Sequence, residues 1–275
     1  MLLKSVRMQM SAIIRKKTVI FTYFVLLAFV MINFFVNVFR NADVHYITQM
    51  YDPIKMLTLS DWSVCGHFMM EYYPLLVVIP TATVYLVDRD TRIKVYLQSK
   101  LGSGNYWFGK MLTVFMITFL IFTVPFLQEL ILNVLCFDMQ SAGDPSNISY
   151  LNVIEKENRY FLSAVFLKNK ILYAVINIIL FGLVSAVLAV FNFSVTTLPV
   201  FRYKIFTFFP IYILFYLITL VDRFVNVDYT INYFFILRMF NTVKKNYTVY
   251  FLFFVLILCI SLLLVWRKSK KDDLL

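Results

Sequence analysis

Apolar positions in this chain gather into six long runs, at about 18–38, 68–87, 111–137, 171–191, 205–221 and 249–266. A bilayer core takes about 20 apolar residues of helix to cross. No water is present there to satisfy backbone N–H and C=O groups, so each such run has to be helical. The pattern predicts an all-α integral membrane protein with six transmembrane helices in a single domain spanning 1–275. Its parts are a segment at 1–17, a six-span bundle at 18–266, an intervening loop at 88–110 and a basic tail at 267–275.

Composition supports this reading. Hydrophobic residues make up 61% of the chain, charged residues 15%, and the mean hydropathy is +0.78. The formal charge of +11 need not imply nucleic acid. Sorted by loop, 16 of the 26 basic residues fall in 1–17, 88–110, 192–204 and 267–275, where only Asp88, Asp90, Asp272 and Asp273 are acidic. The alternating density predicts that both termini are cytoplasmic, and no nucleic-acid partner is called for. The same cations favour an inner face resting on anionic lipid. The high content of Lys, Asn, Tyr and Phe fits the cell membrane of a low-GC Gram-positive bacterium.

The first segment is too long and basic for a signal sequence, and no small-x-small site follows its apolar run. Leu2, Leu3, Val6, Met10, Ile13 and Ile14 recur at helical spacing, with Lys4, Arg7, Arg15 and Lys16 among them. This predicts an amphipathic interfacial helix; a plain basic topology anchor fits the same residues. Outer loops are expected at 40–67, 138–170 and 222–248, with a turn-rich stretch at 141–146. The short connection at 192–204 predicts that the fourth and fifth spans are antiparallel neighbours. Cys65 and Cys136 fall near the outer face of one helical hairpin, where a disulfide depends on their Cα separation. Cys259 lies within the last run.

The loop at 88–110 is the most specific part of the sequence. Asp88 or Asp90 can cap a helix. Ile93, Tyr96, Leu97 and Leu101 form an apolar stripe at i, i+3, i+4 and i+8. Lys100 lies in the last turn, and Gly102 can take the left-handed position that ends the helix. The pattern predicts a short amphipathic helix that can dock in a partner's groove, or lie on lipid or on its own spans.

These features resemble the membrane subunit of a bacterial type-2 ATP-binding cassette exporter. The resemblance covers nearly the whole chain and rests on the basic first segment, six spans and the loop residues Asp88, Asp90, Leu97, Leu101, Gly102, Gly109 and Lys110. It implies a cytoplasmic coupling helix at about 90–101 that meets a separate ATPase subunit, present in two copies. It also implies contact between 1–17 and that ATPase, and a second permease copy or related chain completing the pathway. ATP and magnesium would belong to the partner, with no cofactor in this chain. Some relatives have a re-entrant segment before the last span, which 222–248 would match.

The stretch 104–110 reads Gly-Asn-Tyr-Trp-Phe-Gly-Lys and mimics the start of a phosphate-binding loop. Met111 stands where Ser or Thr should bind magnesium, and bulky aromatics fill the interior. It is therefore dismissed, and the chain lacks a visible ATPase of its own.

Glu71 and Glu129 lie within predicted spans, towards their outer ends. Ionisable residues inside spans are functional candidates because their burial is costly. One reading lines an outward cavity with Glu71, Tyr72 and Glu129, suited to a cationic or amphipathic substrate. The other pairs the glutamates with Lys or Arg of the outer loops and puts Tyr72 in an interfacial belt. Pro74, Pro80 and Pro125 bend the same two spans, and Asn33 and Asn37 are expected to bond a neighbouring helix.

No hydrolase or zinc motif is present, and His45 and His67 are the only histidines, so no catalytic or metal site is predicted. The expectation is the pathway-forming subunit of an ATP-driven exporter of a peptide, antibiotic or lipid-like substrate. An ion-coupled transporter using the two glutamates, and a non-transporting scaffold or sensor, remain alternatives.

Overall fold

The computed structural model describes residues 2–42, 50–141, 160–201, 203–225, 232–241 and 247–273. The described residues are helical and contain no strand; one isolated parallel bridge joins Ser60 and Met239. The expected loop at 141–146 lies almost wholly outside them, as do parts of 222–248.

The helices are α1 (Leu2–Ile14), α2 (Lys17–Asn41), α3 (Val64–Val78), α4 (Val84–Asp90), α5 (Ile93–Leu101), α6 (Ser103–Cys136), α7 (Ser163–Lys168), α8 (Lys170–Thr196), α9 (Phe209–Val225), α10 (Tyr233–Ile236) and α11 (Tyr247–Asp273). A 3₁₀ turn at Lys204–Phe208 leads into α9. Four helices are long and apolar enough to cross a membrane: Lys17–Asn41, Ser103–Cys136, Lys170–Thr196 and the 248–272 part of α11. Two further apolar helices, Val64–Val78 and Lys204–Leu220, are shorter.

The apolar run at 68–87 does not form one helix. It divides into α3 and α4 around a turn at 79–83. Pro80 has no N–H to continue the ladder, and its ring disfavours the helical geometry of the preceding turn. The carbonyl of Val78 instead accepts from Thr81 N at 3.1 Å and Ala82 N at 2.8 Å. Pro74 and Pro125 are accommodated inside α3 and α6.

Helix α6 is the axis of the bundle and contacts α1, α2, α5, α8 and α11. Its 34 residues extend about 51 Å at 1.5 Å per residue, well beyond a hydrocarbon core of about 30 Å. The surplus lies at its N-terminal end, where α1, α5 and the end of α11 gather. Both described ends of the chain therefore meet at one end of the bundle, called here the terminal end. At mid-bundle, the Tyr73 hydroxyl and Ser185 Oγ lie 2.9 Å apart, and the Tyr73 ring packs against Phe122, Phe181 and Phe215. Helix α9 packs on α3 as well as on α8.

Large apolar side chains remain uncovered on the outside, including Phe21, Phe24, Phe35 and Phe39 of α2 and Phe251, Leu252 and Leu263 of α11. A water-soluble monomer rarely exposes continuous apolar surface on this scale. Together with the four long apolar helices, this points to a membrane-embedded protein.

Candidate functional site

The terminal end carries the most organised polar chemistry. Helices α4 and α5 meet at Thr91 and Arg92, with Arg92 at φ 57°. Asp88 and Asp90 belong to α4 and do not cap α5: Arg92 occupies the cap position and makes no side-chain cap bond. Gly102 then breaks α5 from α6 at φ 81° and ψ 148°. The positive φ suits glycine, but the ψ is extended and lies outside the left-handed helical region.

Two buried carboxylates brace this corner. Asp88 accepts from the Tyr106 hydroxyl at 3.0 Å and forms an ion pair with Lys110. This ties α4 to the first turns of α6. Asp272, near the end of α11, accepts from Gln98 Nε2 at 2.9 Å and Trp107 Nε1 at 3.0 Å, and pairs with Lys94 Nζ at 2.6 Å. Ser103 Oγ adds a bond to the Ser269 carbonyl at 3.0 Å. One carboxylate thus joins α5, α6 and α11. Asp90 is more exposed and pairs with Arg89 at 3.1 Å and Lys204 at 4.0 Å.

The stripe predicted on α5 divides between two environments. Ile93 and Tyr96 are 47% and 63% exposed, and Val95 is 67% exposed. Leu97 is half-buried against the core, and Leu101 is only 6% exposed. Leu101 therefore anchors the helix and cannot itself contact a partner. The exposed apolar side chains of α5 are Ile93, Val95 and Tyr96.

Helix α1 packs on α6 through polar groups. Ser5 Oγ donates to the Asn105 carbonyl at 2.9 Å, and Gln9 Nε2 donates to the Tyr106 carbonyl at 3.1 Å. A Cβ on Gly109 would lie 2.5 Å from Ser5 Oγ, so glycine allows the two helices to approach. Residues 103–110 are the opening turns of α6, so Gly104–Lys110 forms no phosphate-wrapping loop. Lys16, just before α2, has a buried amino group without a hydrogen-bond partner. Burial, followed by the nearby charge of Lys110, pulls its pKa down, while Asp88 opposes the shift.

The opposite end is closed differently. Residues 52–60 are all buried and enter between the helix ends. Their backbone groups need partners there. Asn33 and Asn37 each donate to the Met56 carbonyl at 2.8 Å, and Asn133 donates to the Pro53 carbonyl at 3.1 Å. Glu129, 1% exposed, accepts at Oε1 from Thr58 N at 2.8 Å, Thr58 Oγ1 at 2.7 Å and Asn33 Nδ2 at 2.8 Å. Asn33 and Asn37 therefore bond this inserted segment rather than only a neighbouring helix.

Glu71 and Tyr72 lie elsewhere, both exposed, with Glu71 at 3.8 Å from His67 Nε2. Among the described residues no hydrogen bond or ion pair joins Glu71 to Glu129, and neither glutamate pairs with a Lys or Arg. A cavity of about 30 Å³ beside Asn33 and Lys55 is lined by none of Glu71, Tyr72 or Glu129. Cys65, Cys136 and Cys259 are free thiols.

Two organising residues lay outside the sequence predictions. Asp272 read as part of a basic tail, although its position one turn after Lys268 on a continuing helix was a usable signal. Arg238 read as an outer-loop cation. It is buried and donates to the Asp61 carbonyl at 2.7 Å and the Ser60 carbonyl at 3.1 Å, and it pairs with the Asp61 carboxylate at 3.1 Å. Burial draws its pKa down, and Asp61 opposes the shift. Met239 N adds a bond to the Leu59 carbonyl at 2.8 Å, so 232–241 is latched onto the inserted segment.

Comparison with protein-family profiles, curated proteins and solved structures finds no match.

Proposed function

We propose that this chain is the transmembrane subunit of an ATP-driven exporter, with the terminal end facing the cytoplasm and α5 acting as the coupling helix. The observation that carries the reading is the contrast within α5. Ile93, Val95 and Tyr96 present an uncovered apolar surface, while Leu101 and the Asp272 contacts fasten the same helix to the bundle. A docking element needs both properties: a face for the partner and a firm connection to whatever must move.

In this reading two ATPase subunits bind ATP and magnesium, and two permease chains form the pathway. Closure of the ATPase pair displaces α5. The displacement passes through Asp272 to α6 and α11, and through Asp88 and Lys110 from α4 to α6. The turn at 79–83 separates α4 from α3 and supplies a place for the two to shift. Six crossings result if α3 with α4, and the 3₁₀ turn with α9, complete the four long helices. An amphipathic or hydrophobic cargo, such as a peptide, antibiotic or lipid-like molecule, suits the apolar bundle.

The test is reconstitution of the complex purified under mild detergent from native membranes. An ATPase that accompanies the chain in equal amount, and whose hydrolysis responds to candidate cargo, supports the reading. A chain that purifies alone after crosslinking, with no ATP hydrolysis, rejects it in favour of an ion-coupled transporter or a scaffold.

A further inference from the structure

We propose that the groove between α4, the connection after α8 and the end of α11 binds the headgroup of an anionic phospholipid. The groove encloses about 530 Å³, within the range of small-molecule sites. Four cations line it: Arg89, Arg267, Lys268 and Lys271. No acidic side chain does. Arg89 already bonds the Asp90 carboxylate, and Lys268 lies 3.4 Å from Asp272. Arg267 and Lys271 have no carboxylate partner among the described residues. Two adjacent cations on one face of α11 thus lack compensating negative charge.

The rest of the lining selects among anions. Tyr85, Leu198, Pro199 and Leu264 give the groove an apolar wall. Leu264, Arg267 and Lys271 succeed one another along the face of α11. The apolar residue lies on the side of the long apolar run, and the cations lie beyond it. From Leu264 to Lys271 the helix rises about 10 Å. Trp266, half-exposed at this boundary with Lys270 over its ring at 4.2 Å, is the amphipathic aromatic expected at a membrane surface. The connection forming one wall continues into exposed Val200, Tyr203 and Ile205. The order of apolar wall and then paired cations matches acyl chain and then phosphate. Basic pockets between helices at a membrane surface suit such headgroups. A free phosphate shares the charge chemistry but leaves the apolar wall unused. The inference rests on membrane embedding and is independent of the ATPase reading.

The experiment is native mass spectrometry of the full chain released from mixed micelles of phosphatidylglycerol and phosphatidylcholine. The wild type is expected to retain phosphatidylglycerol selectively. The double variant Arg267→Gln/Lys271→Gln is expected to retain it about thirtyfold less, from about 1 kcal/mol per cation and 1.4 kcal/mol per tenfold. The variant Arg267→Lys/Lys271→Arg should keep retention, which separates lost charge from lost fold. Lys4→Gln/Arg7→Gln removes the same charge from the exposed face of α1 and should change little. Equal retention of both lipids overturns the proposal, as does unchanged retention in the Gln double variant. Displacement by excess inorganic phosphate, with no dependence on acyl chains, overturns it in favour of a free-anion site.

Discussion

The carboxylate of Asp272 accepts the indole N–H of Trp107 at 3.0 Å, across 165 positions of sequence. Trp107 is fully buried, and the same carboxylate oxygen also holds Lys94 and Gln98. The last turn of the last helix is therefore part of the corner that supports α5.

Removing this carboxylate should loosen the corner. Asp272→Ala leaves the indole N–H and the Gln98 amide without their acceptor. Each buried donor left unpaired costs about 1–3 kcal/mol. The variant should melt at lower temperature in detergent, and amide exchange should rise selectively over 93–101. Unchanged exchange there would mean that Asp272 does not brace α5.

The buried and the exposed apolar residues of α5 should respond differently to charge. Leu101→Asp places a carboxylate in a buried apolar site and should destabilise the protein by several kcal/mol, or about 3 kcal/mol or more by the usual cost of an unpaired buried charge. Val95→Asp alters an exposed residue and should stay within about 0.5 kcal/mol of the wild type. Thermal unfolding of both variants checks the division. Equal destabilisation would mean that Val95 is covered.

At the opposite end, Glu129→Gln keeps a carbonyl oxygen for Thr58 and Asn33, whereas Glu129→Ala removes every acceptor. The Ala variant should lose about 2–4 kcal/mol, with at least two buried donors unpaired. The Gln variant should lose less than half as much. Limited proteolysis within 50–63 should follow the same order. Similar behaviour of the two variants would remove Glu129 as the residue that seats the inserted segment.

Lys16 should give the protein an alkaline-side gain in stability. Its folded-state pKa is lowered, first by burial and then by Lys110, so the unfolded chain binds more protons between the lowered value and the ordinary 10.5. Stability then rises with pH through that window. Lys16→Met should stabilise the protein at pH 7, and the advantage should shrink as pH approaches 10. Parallel melting curves for the two proteins across this range would contradict the assignment.

The helical class and the apolar segments were legible because a bilayer imposes long, uninterrupted apolar runs. The division at Pro80 was only partly legible: proline warned of a bend, but the choice between kink and turn is made by the donors of Thr81 and Ala82. The stripe on α5 fixed a short helix without revealing which apolar residues remain uncovered, because Leu101 is buried by distant elements. Asp88 and Asp90 looked like caps locally, yet Asp88 is claimed by Tyr106 and Lys110, 18 and 22 positions away. Asp272 and Arg238 were least legible: apart from Lys268, one turn before Asp272, their hydrogen-bond and ion-pair partners lie 165 or more positions off, and no local pattern encodes such a meeting.

The most direct test of the proposed coupling role is co-purification of an ATP-binding cassette ATPase with wild-type chain, Val95→Asp/Tyr96→Asp and a control Asp at an exposed position of the opposite end, Leu167→Asp. The account predicts a stoichiometric ATPase with the wild type and its loss from the α5 variant, while that variant remains inserted and monodisperse. An ATPase retained equally by the α5 variant, or absent from the wild type, would contradict it.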